Sequence, residues 1–262
     1  MKIDINTKMI TLLGKPLGQS FAARMQNAGY EAAGLNMLYF YTEVDKDHLG
    51  DVVNGLRYMN FAGFAVTKPN KVRVLRYLDE LDPLCKKMGA SNTVVKTPEG
   101  KLIGYNTDGV GFYTSLVEEG KINVEESTFF CFGAGGAGRA MCSVLAYHGA
   151  KKIYITDFYE PCAESLVMDI NENFAPVAEL VHHGDYAKIA ECNVVMNASG
   201  IGMGSTIGQT PMPVEHIQPG QFYFDACYNP DKTQFLLNAE EKGCQVLNGL
   251  GMSLYQGTAQ IE

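Results

Sequence analysis

The sequence predicts an α/β fold in two domains with largely parallel sheet structure. Three observations carry this. Strand-like apolar runs alternate with segments of helical period along the whole chain, the pattern of parallel strands joined by crossover helices. At 262 residues there is room for two domains. The alternation then restarts near residue 127 with a strand, a glycine-rich turn and a helix, after a loop-like stretch "GYNTDGVG" at 104–111.

In the first half the candidate strands are "MITLLG", "LYFYTEV", "FAGFAVT" and "ASNTVVK". Between the last two, "KVRVLRYLDELD" places Val72, Leu75, Leu78 and Leu81 at helical spacing. Pro69 suits the entry to that helix, since its fixed φ fits and its missing N–H needs no partner there. In the second half "STFFCF" reads as a buried strand, "GAGGAG" as a tight turn and "RAMCSVLAYHG" as a helix ended by Gly149. "KKIYITD", "CNVVMNAS" and "QFYFDACY" are later strands of the same sheet, and "GLGMSLYQGTAQIE" is helical. The domains are expected at 1–108 and 109–248, with 249–262 returning to the first.

Composition narrows the function classes. A net charge of −8 leaves no electrostatic footprint for nucleic acid. The apolar run "MITLL" is too short for a signal segment or a membrane span, so a soluble, cytoplasmic protein is expected. Seven scattered cysteines with no CxxC pair read as small buried apolar residues in a reducing compartment. His182 and His183 are adjacent but have only Asp185 nearby, too few ligands for a metal site.

"CFGAGGAGRA" holds Gly133, Gly135 and Gly138 in GxGxxG spacing, with Gly136 and Ala137 between them, directly after a strand and opening a helix. The first glycine permits the turn, the second lets a pyrophosphate approach the backbone, and the third allows close helix–strand packing. This is a Rossmann-type dinucleotide-binding signature; the other reading is a purely structural glycine turn. Asp157 ends the next strand, near the offset expected for a carboxylate that meets the adenosine ribose. It would repel a 2′-phosphate, and no arginine follows within several residues, so NAD is favoured over NADP. The alternative makes Asp157 a cap of the following helix.

Lys71, taken alone, reads as the opening of a solvated helix face. Two more polar loops, "GASNTVV" and "GYNTDGVG", lie at apparent strand ends, where open α/β sheets bind ligands. Thr67, Lys71, Asn92 and Asp108 are thus candidates to converge on one cleft.

At this point the sequence resembles the shikimate/quinate dehydrogenase family. "GKPLGQS" is similar to the family's GxPxxHS, "VTKPNK" to NVTxPxK, "GASNT" to GAxNT and "GYNTDG" to GxNTDG. "GAGGAGRA" matches GAGGAxRA, "NASGIGM" resembles NATxxGM, "YNPDKT" YxPxxT and "GLGMSLYQ" GxxMLxxQ. The resemblance implies an N-terminal α/β substrate domain and a Rossmann domain. It also implies an NAD(P)-dependent oxidoreductase that interconverts a ring hydroxyl and a ketone on a cyclic hydroxy acid. By the same resemblance Lys71 and Asp108 form the catalytic pair, and Thr67, Asn92 and Gln256 bind ring hydroxyls. Tyr228 lies near the substrate and Ser20 helps bind its carboxylate. Asn197, Gly249 and Met252 lie along the cofactor.

The departures from the pattern sit at the substrate end. The usual HSxSP is "QSFAA", so Gln19, Ala22 and Ala23 replace a histidine, a serine and a proline, and Ala65 replaces an asparagine. Losing one hydroxyl donor to a carboxylate costs about 1.5–3 kcal/mol. This points to a reshaped substrate end and keeps quinate or an amino-shikimate in view beside shikimate. A folate-type substrate and a non-catalytic nucleotide sensor with the same fold are the remaining alternatives. Expected partners are a small cyclic acid and no metal, nucleic acid or membrane, in a monomer or homodimer. The chain ends six residues after Gln256, sooner than is usual in the family, so either the terminal helix is short or part of it is missing.

Overall fold

The computed structural model describes residues 3–18 and 20–261; the departure noted at Gln19 lies outside them. The chain divides into two compact units, Met1–Thr107 with Gln256–Glu262, and Asp108–Tyr255.

The first unit runs through β1 (Lys8–Gly14), α1 (Ala22–Ala32), β2 (Met37–Glu43), α2 (Leu49–Tyr58) and β3 (Phe61–Val66). It continues with β4 (Glu80–Leu81), α3 (Pro83–Met88), β5 (Thr93–Lys96) and β6 (Leu102–Tyr105). The strands form one sheet in the order β2-β1-β3-β5-β6-β4. β1 is parallel to β2 and β3, whereas β5 is antiparallel to both β3 and β6. Leu13, Leu49, Val53, Phe64 and Val74 are buried together on one side of it. Leu49, Val53 and Leu56 share a face of α2 at the spacing a helix needs to cover a sheet.

The second unit contains α4 (Thr107–Glu118, from its second residue), β7 (Thr128–Phe132), α5 (Gly136–Tyr147), β8 (Lys152–Thr156), α6 (Glu160–Asn173) and β9 (Ala178–Leu180). β10 (Val194–Asn197), β11 (Phe222–Asp225), α7 (Gln234–Glu241), β12 (Gln245–Asn248) and α8 (Leu250–Ile261) complete the chain, the end of α8 belonging to the first unit. Its sheet is parallel throughout, in the order β12-β11-β10-β7-β8-β9. Both β10 and β11 are buried at every position, as central parallel strands covered on two faces must be. The strand order reverses between β7 and β10, and this opens a crevice at their carboxyl ends.

Two local expectations are corrected. The stretch 71–82 is not an α-helix: a short 3₁₀ turn, Arg73–Tyr77, leads into β4. Val72, counted on the apolar face, is 58% exposed, while Val74 is the residue that packs. Sheet pairing of β4 with β6 overrides a helical pattern spanning only three turns. "GYNTDGVG" is likewise not a loop but the end of β6 and the first turns of α4, with Asp108 in the first turn where a carboxylate suits the helix dipole. Of the cysteines, only Cys162 is exposed. Burial pushes the Cys85 and Cys192 thiols up to about 12, as befits apolar packing residues. No helix among the described residues is long and apolar enough to cross a membrane.

Candidate active site

In the first unit, β3 ends at Val66 and the chain turns at once. Thr67 N–H donates to Leu13 O at 2.8 Å, Asn70 N–H to Thr67 O at 2.9 Å, and the buried Asn70 side chain to Val44 O at 3.0 Å. The turn is packed so closely on β1 that a methyl group at Gly14 would stand 2.4 Å from Thr67 Cγ2. Lys71 follows, half-buried, with its backbone oxygen accepting from Ser91 N–H at 2.9 Å.

Asn92, 3% exposed, is the hub of this end of the sheet. Its Oδ1 accepts from Thr107 N–H at 2.8 Å and from Thr93 Oγ1 at 2.9 Å. Its Nδ2 donates to Thr107 Oγ1 at 2.9 Å and reaches Gln256 Oε1 at 3.5 Å. Ser20 precedes α1; its hydroxyl accepts from Ala22 N–H at 3.3 Å, and its carbonyl accepts from the Tyr41 hydroxyl at 2.5 Å. The Tyr41 oxygen also accepts from Ala23 N–H at 3.0 Å, so a side chain from β2 ties down the stretch from Ser20 to Ala23.

In the second unit, the three signature glycines behave differently. Gly133 has φ +100°, and a Cβ there would lie 2.6 Å from Ser199 N; one on Gly138 would lie 1.9 Å from Gly133 O. These two are required by the fold. Around Gly135 and Gly136 a Cβ would meet nothing within 4 Å, so their small size leaves open backbone where a ligand can approach. α5 opens there without a side-chain cap, its first ladder bond running from Arg139 N–H to Gly135 O, so the Gly136, Ala137 and Gly138 amides head the helix. Asp157 accepts from Ala134 N–H at 2.7 Å and from Tyr159 N–H at 2.9 Å, gripping the glycine loop and capping the turn into α6 together. A cavity of about 290 Å³ lies alongside, lined by Gly133, Gly135, Asp157, Phe158, His183 and Ser199 among others.

Asn197 is fully buried. Its Oδ1 accepts from Ser199 N–H and Oγ, and its Nδ2 donates to Ile201 O at 2.9 Å and to Asp225 Oδ2 at 3.1 Å. Asp225, also fully buried, accepts further from Thr233 Oγ1 at 2.6 Å and Cys227 N–H at 2.9 Å. Burial raises the Asp225 carboxyl above its ordinary value, with Thr233, Cys227 and Asn197 opposing that rise. Tyr228 is 37% exposed on the segment after Cys227. Gly249 N–H donates to Cys227 O, and a methyl group there would lie 2.1 Å from Ala226 O, so only glycine fits; Met252 is buried on α8.

Comparison with known proteins decides the family. The pattern of the shikimate dehydrogenase substrate binding domain matches residues 12–94. Shikimate dehydrogenase (NADP(+)) of Desulforamulus reducens is 38% identical over 265 aligned residues, covering 100% of this chain and 91% of that protein. The chain belongs to the shikimate dehydrogenase family. Among solved structures, shikimate 5-dehydrogenase from Listeria monocytogenes in complex with shikimate and NAD superimposes with a TM-score of 0.94 at 37% identity, covering 100% of this chain and 93% of the other. Quinate dehydrogenase from Corynebacterium glutamicum in complex with NAD gives 0.90 at 28% identity, covering 97% and 92%.

The family membership frames where the predicted residues fall. Thr67, Lys71, Asn92, Gln256 and Ser20 all belong to the first unit, and bonds within it link Lys71 to Ser91 and Asn92 to Gln256. Asp108 opens the second unit directly after Thr107, the residue that Asn92 holds. The open backbone at Gly135 and Gly136 fits a pyridine dinucleotide, since these are the two signature glycines with no structural duty. Three participants escaped the sequence reading: Thr107, Tyr41 and Asp225. Asp225 had a signal, a carboxylate closing an apolar strand, which is costly unless several donors meet it. Among the described residues no group of His, Cys, Asp or Glu is arranged to hold a metal ion, His182 and His183 included.

Proposed function

We propose that this chain interconverts the ring hydroxyl of shikimate and the corresponding ketone, using a nicotinamide nucleotide. The observation that carries the proposal is the Asn92 hub, which binds Thr107 and Gln256 while the adjacent Ser91 holds the Lys71 backbone. Residues that the family resemblance assigns to substrate and catalysis are thereby organised by one short segment. The bound nucleotide supplies the acceptor or donor of hydride at the reacting ring carbon. Lys71 and Asp108 handle the proton: as the hydroxyl becomes a carbonyl, its proton passes to this pair, and the lysine ammonium stabilises the charge developing on oxygen. Thr67, Asn92 and Gln256 orient the ring hydroxyls, Ser20 helps bind the carboxylate, and Tyr228 lies near the substrate.

NAD is the preferred nucleotide in this reading. Asp157 and Phe158 stand in the cavity beside the glycine loop, and no lysine or arginine is among its lining residues to clamp a 2′-phosphate. The Desulforamulus relative is an NADP(+) enzyme, so this preference marks a difference within the family.

A second reading of the substrate rests on Ala22 and Ala65. With a hydroxyl and an amide missing where the family pattern has them, a quinate-like acid competes with shikimate for the same site. Absorbance of the reduced nicotinamide, with NAD+ and NADP+ crossed against shikimate, quinate and an amino-shikimate, tests all of this at once. Lys71-dependent signal with NAD+ and a cyclic acid supports the proposal. Silence across the panel with nucleotide still bound overturns it in favour of a nucleotide sensor.

A further inference from the structure

β2 is an edge strand of the first sheet, and its last residues reach the segment that enters α1. Tyr41 and Glu43 are two apart on it, so their side chains leave the same face of the strand. Glu43 Oε1 accepts from Leu17 N–H at 3.0 Å, and Leu17 O accepts from Ser20 N–H at 3.2 Å. The Tyr41 hydroxyl takes the next residues, donating to Ser20 O and accepting from Ala23 N–H. Neither Ala22 nor Ala23 has a side chain that makes hydrogen bonds, and the N-cap residue Phe21 contributes none. The entry to α1 is therefore held from β2 as well as by its own backbone.

These bonds decide what Ser20 offers a ligand. Its amide is engaged by Leu17 and its carbonyl by Tyr41, so the backbone is pinned on both sides. Its Oγ accepts from Ala22 N–H, which uses a lone pair and not the hydroxyl hydrogen. An ionised carboxylate only accepts, so a serine hydroxyl held in this way is its complement. Tyr41 is 40% exposed, so removing its hydroxyl alone opens no cavity in the core.

We propose that Tyr41 is a positioning residue for the carboxylate of the substrate: it binds Ser20 O and the first turn of α1 together and so aims the Ser20 hydroxyl at the acid. The inference rests on the reading of Ser20 as a carboxylate contact given above, and deepens it by naming what sets that contact. Without the phenol oxygen, Ser20 turns more freely and the acid loses a fixed donor. A neutral ligand loses less, because hydrogen bonds to a charged acceptor are the stronger ones.

The test compares wild type, Tyr41→Phe, Ser20→Ala and the double variant. Calorimetry without nucleotide gives dissociation constants for shikimate and for its analogue with a hydroxymethyl group in place of the carboxylate. Tyr41→Phe should weaken shikimate about tenfold and the neutral analogue by less than about twofold. In turnover, KM for shikimate should rise by the same factor while kcat holds. An unchanged affinity for NAD+, which binds in the second unit, reports that the variant is folded. In the Ser20→Ala background, Tyr41→Phe should cost no further acid preference, the non-additivity of residues that act through one another. Equal losses for both ligands overturn the proposal, since Tyr41 then only stabilises the turn. Additive losses of acid preference overturn it in favour of direct contact between Tyr41 and the acid. If the wild type prefers the acid but turns over nothing, the proposed reaction fails and the binding cycle still decides the role of Tyr41. A wild type with no preference for the acid overturns both.

Discussion

Asn92 and Thr107 are bonded to each other in both directions: Thr107 N–H donates to Asn92 Oδ1 at 2.8 Å, and Asn92 Nδ2 donates to Thr107 Oγ1 at 2.9 Å. Both residues are buried, so neither has water to replace its partner. The pair locks the residue before Asp108 to the strand end that also faces Gln256.

Replacing Asn92 tests how much depends on that lock. Asn92→Ala leaves the Thr107 N–H and the Thr93 hydroxyl without their shared acceptor inside the protein. A destabilisation of about 2–4 kcal/mol is expected, read from urea midpoints. A fall of about a hundredfold in kcat/KM for shikimate should accompany it, with nucleotide affinity retained.

Lys71→Ala should behave in the opposite way. Its backbone carbonyl, not its side chain, makes the bond to Ser91, so the turn survives the substitution. Stability and nucleotide binding are expected to be nearly unchanged while kcat drops by about 10²–10⁴, the range for loss of a positioned proton-transfer group. Retained kcat on the best substrate would remove Lys71 from the chemistry.

Much of this arrangement was legible in the sequence because its parts are local. The GxGxxG turn, the strands around it and the helix ended by Gly149 follow from chain geometry alone, and each is present. The polar strand ends could be read as candidate ligand positions from the α/β rule alone. What was not legible depended on partners distant in sequence. β4 forms because β6 offers it an edge, which no periodicity over 71–82 reveals. Asn197 could be named as a cofactor-side residue, but not as one whose amide is committed to the Ser199–Ile201 turn and Asp225.

The glycine loop separates folding from binding. Gly138→Ala places a methyl group 1.9 Å from Gly133 O, and backbone must move to accommodate it. A loss of about 3 kcal/mol or more in stability is expected. Gly135→Ala meets no atom within 4 Å, so the thermal midpoint should hold while the dissociation constant for NAD+ rises about tenfold or more. Equal effects of the two substitutions on nucleotide binding alone would contradict this division of labour.

Cofactor choice is expected to reside in Asp157 and Phe158. Phe158 is 87% exposed, so Phe158→Arg should fold normally and offer a guanidinium to a 2′-phosphate. Combined with Asp157→Ser, it should shift the NAD+ to NADP+ ratio of kcat/KM by at least about tenfold toward NADP+. An unshifted ratio would place the discrimination elsewhere.

Asp225 gives a prediction in pH. Its carboxyl is raised in the folded protein above the ordinary 3.8, burial being the dominant cause. The folded state therefore binds this proton more tightly than the unfolded state does. The resulting stability is fully present below the unfolded value and is lost as pH rises through the folded one. Asp225→Asn removes that titration and sets an amide nitrogen against Thr233, Asn197 or the Cys227 N–H, so it should be destabilising throughout. The difference in unfolding free energy between wild type and variant should be largest near pH 4 and shrink toward neutrality, measured by urea unfolding at several pH values. Because the same carboxylate anchors Asn197 and so the Ser199–Ile201 turn beside the glycine loop, the variant should also bind NAD+ more weakly at neutral pH. A pH-independent stability difference would mean that Asp225 is charged to the same extent folded and unfolded.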